Sequence, residues 1–341
     1  MLEHRRTPVP FDPEMLPALE AAASQPPLTA DVLASLRSTA VGTPSGPPAP
    51  AFPDGASWAA TAGVSATELR IPGPAGAPDL EVTVFAPLDP GPAPLPVLVN
   101  FHGGGMIVGH RSWEHGRVVD LVVRHRVIGV NVEYRLAPED PYPAGVEDTY
   151  AATVWAAAHA AELGGDPARL IVMGGSAGGG FAAAVALMAR DRGGPRIAGQ
   201  LLLCPMIDNT NTTVSSWQYD GIGTWQREAN LLAWRSVLGD ALALSPDAPA
   251  YAAPSRATDL AGLPPAFLEV GSAEAFRDED VDYARRIWAV GGEAELHVWS
   301  GGCHGFDMVA PESELTRAAL ASRDSWLTRI LRRPGAEEVG R

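Results

Sequence analysis

The chain has 341 residues, 46% of them hydrophobic and 19% charged, which is enough apolar material for one large domain or two small ones and argues against wholesale disorder. Forty acidic residues against 25 basic ones leave a formal net charge of −15, a balance that repels phosphate backbones and sets nucleic acid aside as a partner. Cys204 and Cys303 are too few for a disulfide framework or a cysteine-based zinc site, and no metal or other cofactor is expected.

Prolines crowd residues 1–60. Pro8, Pro10, Pro13 and Pro17 interrupt the first twenty residues, which lack the apolar core of a signal peptide, and no run of 18 apolar residues follows that could span a membrane. The expectation is a soluble cytoplasmic protein. Helical patterns at 12–23 and 29–40, followed by the proline-rich stretch from Thr43 to Pro53, predict an arm over 1–60 that lies across the body and stays out of its central sheet.

Thr67–Ile71 and Leu80–Ala86 read as an antiparallel pair joined by a Pro/Gly turn. Apolar runs then recur at Val97–Phe101, Val127–Tyr134, Leu170–Met173, Gln200–Cys204, Ala266–Val270 and Leu296–Trp299, the pattern of strands covered on both faces. Helical segments near 113–125, 146–163, 176–191, 278–290 and 312–332 lie between or after them. In 146–163 the spacing of Val146, Tyr150, Val154 and Ala157 predicts the buried face, with Gly164-Gly165 as the stop. This alternation predicts a doubly wound, mostly parallel α/β sheet, with the body at 61–207 and 263–341. Residues 208–262 interrupt the rhythm with Trp217, Tyr219, Trp225, Trp234 and Tyr251 and one helix at 227–238. An aromatic insertion after a strand's C-terminal end reads as a lid over a ligand site.

Two motifs carry chemistry. Gly174-x-Ser176-x-Gly178 sits between an apolar strand and an alanine-rich helix, as a nucleophile elbow requires: glycines flank a serine on a strained turn, at the positive end of a helix. A phosphate-binding loop is the rival, but the chain holds no lysine to complete one. Upstream, a strand ends in His102-Gly103-Gly104-Gly105, where adjacent glycines let several amides face one oxyanion. Chance would supply the first pattern about 0.2 times in such a chain and the second about 0.01 times. The N–H groups of Gly103, Gly104 and Ala177 are the expected oxyanion hole, with His102 and Gly105 positioning the loop.

With these blocks, Tyr134-Arg-Leu-Ala-Pro-Glu139, Tyr142-Pro-Ala-Gly-Val-Glu-Asp148 and His304-Gly-Phe306, the chain resembles the hormone-sensitive-lipase-like, bacterial carboxylesterase branch of the α/β-hydrolases over residues 65–310. The resemblance implies an α/β-hydrolase sheet of about eight strands with a helical cap. It also implies hydrolysis of short-acyl carboxylic esters through an acyl-enzyme, without cofactor, and a homodimer built on the last strand. His304 becomes the base, giving the order Ser176, Glu274, His304.

Two positions depart from the family pattern. Gly175 stands where Gly-Asp-Ser-Ala-Gly-Gly has aspartate, and Glu274 stands where the family's acid is aspartate. Asp278, Glu279 and Asp208 are the competing acids. Met106, Trp217 and Trp225 are candidate pocket residues, and crowding by Trp217, Trp225 and Trp234 predicts short acyl chains. An amidase, lactonase or carbamate hydrolase would use the same triad. A non-catalytic small-molecule receptor on this scaffold is the reading from a different class.

Overall fold

The computed structural model describes residues 7–40 and 54–333, with backbone only for 36–40; the stretch from Thr43 to Pro53 lies outside the described residues. The arm contributes α1 (Leu16–Ala23) and α2 (Ala30–Ala40), and α3 (Gly55–Ala62) leads into the sheet. There follow β1 (Val64–Ile71), β2 (Leu80–Pro87), β3 (Leu95–Phe101), α4 (His115–His125), β4 (Ile128–Val132), α5 (Ala144–Ala158), β5 (Gly165–Gly175), α6 (Ala177–Arg192) and β6 (Gly199–Leu203). The 208–262 interval holds α7 (Val214–Gln218) and α8 (Arg227–Leu242), and the chain continues through β7 (Ala266–Gly271), α9 (Arg277–Ala289), β8 (Ala294–Trp299), α10 (Phe306–Val309) and α11 (Glu314–Leu331).

The eight strands form one sheet in the order β1-β2-β4-β3-β5-β6-β7-β8, with antiparallel pairing only among β1, β2 and β4. Period-two alternation in the central strands divides the core. Leu170 and Val172 of β5 face the cluster that includes Ala152 and Ala156 of α5, whereas Ile171 and Met173 face Val118 and Val122 of α4 and Trp326 of α11. Helices on both faces explain why β3, β4, β6 and β7 are buried along their whole length. β8 differs from its predicted double coverage: it is an edge strand of intermediate burial, with Val298 43% exposed, because among the described residues no strand lies beyond it in the sheet.

The α5 expectation also needs correction. The helix ends at Ala158, and its buried face runs through Val146, Thr149, Ala152, Thr153 and Ala156, while Val154 is exposed. Small and hydroxylated side chains make this contact because α5 packs against alanine-rich α6. The hydroxyls of Thr149 and Thr153 are satisfied by the carbonyls of Val146 and Thr149, so hydrophobicity alone misplaces the stripe.

The arm is pinned to the body. Asp12 N–H donates to the Gly301 carbonyl at 2.9 Å, Met15 is buried with Cys303 and Phe306, and the Tyr219 hydroxyl donates to the Val9 carbonyl at 2.9 Å. Among the described residues no helix is long and apolar enough to cross a membrane.

Trp326 is 4% exposed, lies 5.8 Å from the Phe267 ring and covers Gly199. Trp326→Ala should cost about 3–5 kcal/mol, read as a lowered urea midpoint; a loss under about 1 kcal/mol would show that α11 is not seated as described.

Candidate active site

Sheet register assembles the motifs before any side chain is considered. Phe101 of β3 pairs with Gly174 of β5, so the His102 loop and Ser176 leave the sheet side by side. Gly271 of β7 pairs with Trp299 of β8, so the segments carrying Glu274 and His304 leave together two strands further along. All four emerge at the C-terminal edge of the parallel strands.

Ser176 sits between β5 and α6 with φ 55° and ψ −120°, a backbone state that costs a residue with a side chain of order 1–3 kcal/mol. Surrounding bonds hold it there: its N–H donates to the Leu203 carbonyl at 2.8 Å, and its carbonyl accepts from Gly180 N at 3.0 Å and Met206 N at 2.9 Å. Gly178 makes the turn feasible, since a Cβ there would lie 1.9 Å from the Phe101 carbonyl oxygen.

The ring of His304 completes the contact chain. Its Nε2 is 2.9 Å from Ser176 Oγ and its Nδ1 is 2.5 Å from Glu274 Oε2, while Glu274 Oε1 accepts the Gly271 N–H at 3.0 Å. Glu274 is buried. The competing acids are engaged elsewhere: Asp278 accepts from Ser215 N, Glu279 from the amides of Ile207 and Asp208, and Asp208 from Thr210 and Arg256. Glutamate at 274 thus reaches the imidazole across its extra methylene.

The His102 loop is braced from behind. Tyr134 stacks on the His102 ring at 4.1 Å and donates to the His102 carbonyl at 2.6 Å, and His102 Nδ1 is 2.7 Å from the Gly103 carbonyl. Burial lowers the imidazole pKa to about 3, so at neutral pH the ring is an uncharged donor that fixes the loop. Gly104, at φ 118°, has no room for a Cβ, which would fall 2.0 Å from the Val108 carbonyl oxygen.

Among the described residues the amides of Gly104, Gly105 and Ala177 have no acceptor, while the Gly103 N–H also interacts with the buried Glu114 carboxylate and helps to hold its pKa down.

Of the aromatic candidates, Trp225 reaches the site: its ring abuts Gly105 and lies 6.3 Å from that of His304. Trp217 is instead stacked beneath Arg227 at 3.6 Å, and Trp234 is fully buried in the core of the insertion. Met106 lines a cavity of about 20 Å³ with Phe181, Tyr142, Val237 and Tyr251. Two neighbours were not anticipated. Phe276 presents its edge to the His304 ring at 4.9 Å, and Thr224 Oγ donates to the His304 carbonyl at 2.5 Å, tying the insertion to the base. Phe276, two residues after the acid, could have been suspected from its position; Thr224 could not.

The ligating atoms of Cys204, Glu274 and His304 lie within 4.8 Å of one another. A cation taking all three would have to break the Glu274–His304 contact, and burial pushes the Cys204 thiol well above its ordinary pKa, away from the thiolate a metal needs. The arrangement is better suited to proton transfer than to holding a metal.

Gly178→Ala should displace the elbow by about 1 Å and lower esterolytic kcat about 10²-fold or more, measured by steady-state kinetics with circular dichroism as the folding control. A folded variant of unchanged kcat would contradict the assigned packing.

Comparison with known proteins agrees with this architecture. Residues 98–308, more than half of the chain, match the family model described as alpha/beta hydrolase fold. Esterase LipI of Mycobacterium tuberculosis is 36% identical over 259 residues, covering 75% of this chain and 80% of that protein. Carboxylesterase NlhH of the same species is 39% identical over 234 residues, covering 67% and 73%. Among solved structures, a bacterial heroin esterase superposes with a TM-score of 0.80 at 36% identity, covering 95% of this chain and 98% of that one. The chain belongs to the α/β-hydrolases, in their hormone-sensitive-lipase-like branch.

Proposed function

We propose that the protein is a serine carboxylesterase that hydrolyses short-acyl esters through an acyl-enzyme on Ser176. Its esterase relatives support ester hydrolysis. The observation that carries the mechanism is the continuous contact from Glu274 through both nitrogens of His304 to Ser176 Oγ.

In this reading the Nδ1–H of His304 donates to Glu274, which leaves Nε2 as the base. Ser176 Oγ attacks the ester carbonyl as its proton passes to Nε2, and the carbonyl π electrons move onto oxygen. The amides of Gly104, Gly105 and Ala177 receive that oxyanion, each such donor being worth about 10²–10³ in rate. As the tetrahedral intermediate collapses, the alcohol leaves with the proton from His304. Water, deprotonated by the same nitrogen, then attacks the acyl-enzyme, and the acid departs as Ser176 regains its proton.

We assign the arm and the 208–262 insertion to a cap over this site, with Trp225 as its wall and Met106 at its base. Trp225 against Gly105 and His304 supports short acyl groups, since it narrows the space beside the nucleophile. We assign a homodimer contact to the open edge of β8, which light scattering would test.

Ser176→Ala should lower turnover of p-nitrophenyl butyrate by about 10⁴-fold or more, and Glu274→Gln by about 10²–10⁴-fold, with KM little changed. A Ser176→Ala variant that keeps its turnover would end the serine mechanism. In a panel from acetyl to palmitoyl esters, rates should fall beyond short chains and Trp225→Ala should extend the accepted length; a wild-type preference for palmitoyl would refute the pocket assignment. Comparing an ester with its isosteric amide separates esterase from amidase.

A further inference from the structure

Behind the nucleophile runs a row of five largely buried charges that acyl transfer does not itself use. Glu114, at the start of α4, meets Arg117 Nη1 at 2.5 Å, and Arg117 Nη2 meets Asp307 Oδ2 at 3.0 Å. Asp307 is also 2.8 Å from Arg323 Nη1, and Arg323 Nε is 2.9 Å from Glu269 Oε1. Burial alone would raise the Asp307 carboxyl, but Arg323 and Arg117 outweigh it and hold the group well below the ordinary carboxylate range. Burial lifts the Glu114 carboxyl, opposed by Arg117 and the Gly103 N–H.

The row touches every part of the site. Glu114 meets the oxyanion loop at Gly103, Asp307 lies three residues beyond His304, and Glu269 is on the strand that leads to Glu274. At the elbow the contact is with Gly175. A Cβ built there would lie 3.1 Å from Arg117 Nη1 and 3.9 Å from Glu114 Oε1, so the pair occupies the space beside the residue that would be aspartate in the Gly-Asp-Ser motif. Stability alone is a weak account of it: Glu114 at the N-cap complements the helix dipole but Arg117 in the first turn opposes it, and an apolar pair of similar volume is commonly at least as stable as a buried ion pair.

We propose that Glu114 and Arg117 are positioning residues for acyl transfer: from the N-cap and first turn of α4 they supply the carboxylate that the chain lacks before Ser176, and they hold the oxyanion loop against the nucleophile elbow. The proposal rests on the serine-esterase reading and adds to it two residues outside the triad and the oxyanion hole.

A double-substitution cycle tests it, because Gly175 has an ordinary φ and its nearest neighbour is the end of a flexible side chain, so an aspartate can be accommodated. Kinetics on p-nitrophenyl butyrate and urea midpoints would be measured for wild type, Glu114→Gln, Gly175→Asp and the double variant. Glu114→Gln should lose about 10–100-fold in kcat with KM within about threefold. Gly175→Asp alone should also lose kcat, since a third carboxylate then joins Glu114 and Asp307 at the Arg117 guanidinium. In the Glu114→Gln background the same aspartate should restore kcat about tenfold or more, a reversal of sign that a merely structural role would not produce.

Unchanged kcat in Glu114→Gln, or an equal loss from Gly175→Asp in both backgrounds, would overturn the proposal. If Glu114→Gln does not fold, Gly175→Asp decides: kcat must fall while the urea midpoint holds. Inactivity of wild type, or activity that survives Ser176→Ala, would overturn the serine reading and this proposal with it. A failed cycle in an active, Ser176-dependent enzyme would overturn the proposal alone.

Discussion

The site depends on how closely the β5–α6 turn is pressed against the end of β3. The place a Cβ of Gly178 would take is 1.9 Å from the Phe101 carbonyl oxygen, so the turn holding Ser176 and the loop beginning at His102 cannot move independently. That contact follows from the Phe101–Gly174 pairing inside the sheet, and it keeps Ser176 at positive φ against its own preference. The cost is covered by the core on either side of β3 and β5 and by the hydrogen bonds that grip the serine's N–H and carbonyl. The second pairing, Gly271 with Trp299, does the same for the acid and the base. A sheet whose strands are buried end to end thus sets the distances at which the side chains meet.

Charge is distributed around this contact with a clear division. On the β4 side of the oxyanion loop His102 is kept neutral by burial and the Tyr134 phenol stays protonated, while burial pushes the neighbouring Glu133 carboxyl up to about 7. On the α4 and α11 side, arginine and carboxylate alternate from Glu114 to Glu269. A developing oxyanion therefore meets oriented amides in front and fixed, mutually paired charges behind, an arrangement that needs little reorganisation as charge moves.

Much of this was legible in the sequence because its causes are local. Apolar runs mark the strands, glycines at 174 and 178 mark a turn too tight for side chains, and Glu274 stands where the family that the chain resembles carries its acid. Where the reading failed, the cause lay in tertiary contact. The α5 face was misplaced because its partner, α6, is lined with alanine, so small residues and internally bonded threonines pack best. β8 carries the apolar pattern of a covered strand although it ends the sheet. Trp217 and Trp225 look alike in sequence, yet Arg227 stacks on one while the other packs against Gly105. Glu114, eleven positions after Gly103, is buried by contacts that no periodicity reveals.

The most direct test of the central claim, a nucleophile at Ser176 activated by His304, is to identify the atom that becomes acylated or phosphonylated. Folded protein treated with a fluorophosphonate and then mapped by peptide mass spectrometry should carry one adduct, on the peptide that contains Ser176, and His304→Ala should slow its formation by orders of magnitude. No adduct on folded wild type, an adduct on a different serine, or labelling indifferent to His304 would contradict the account.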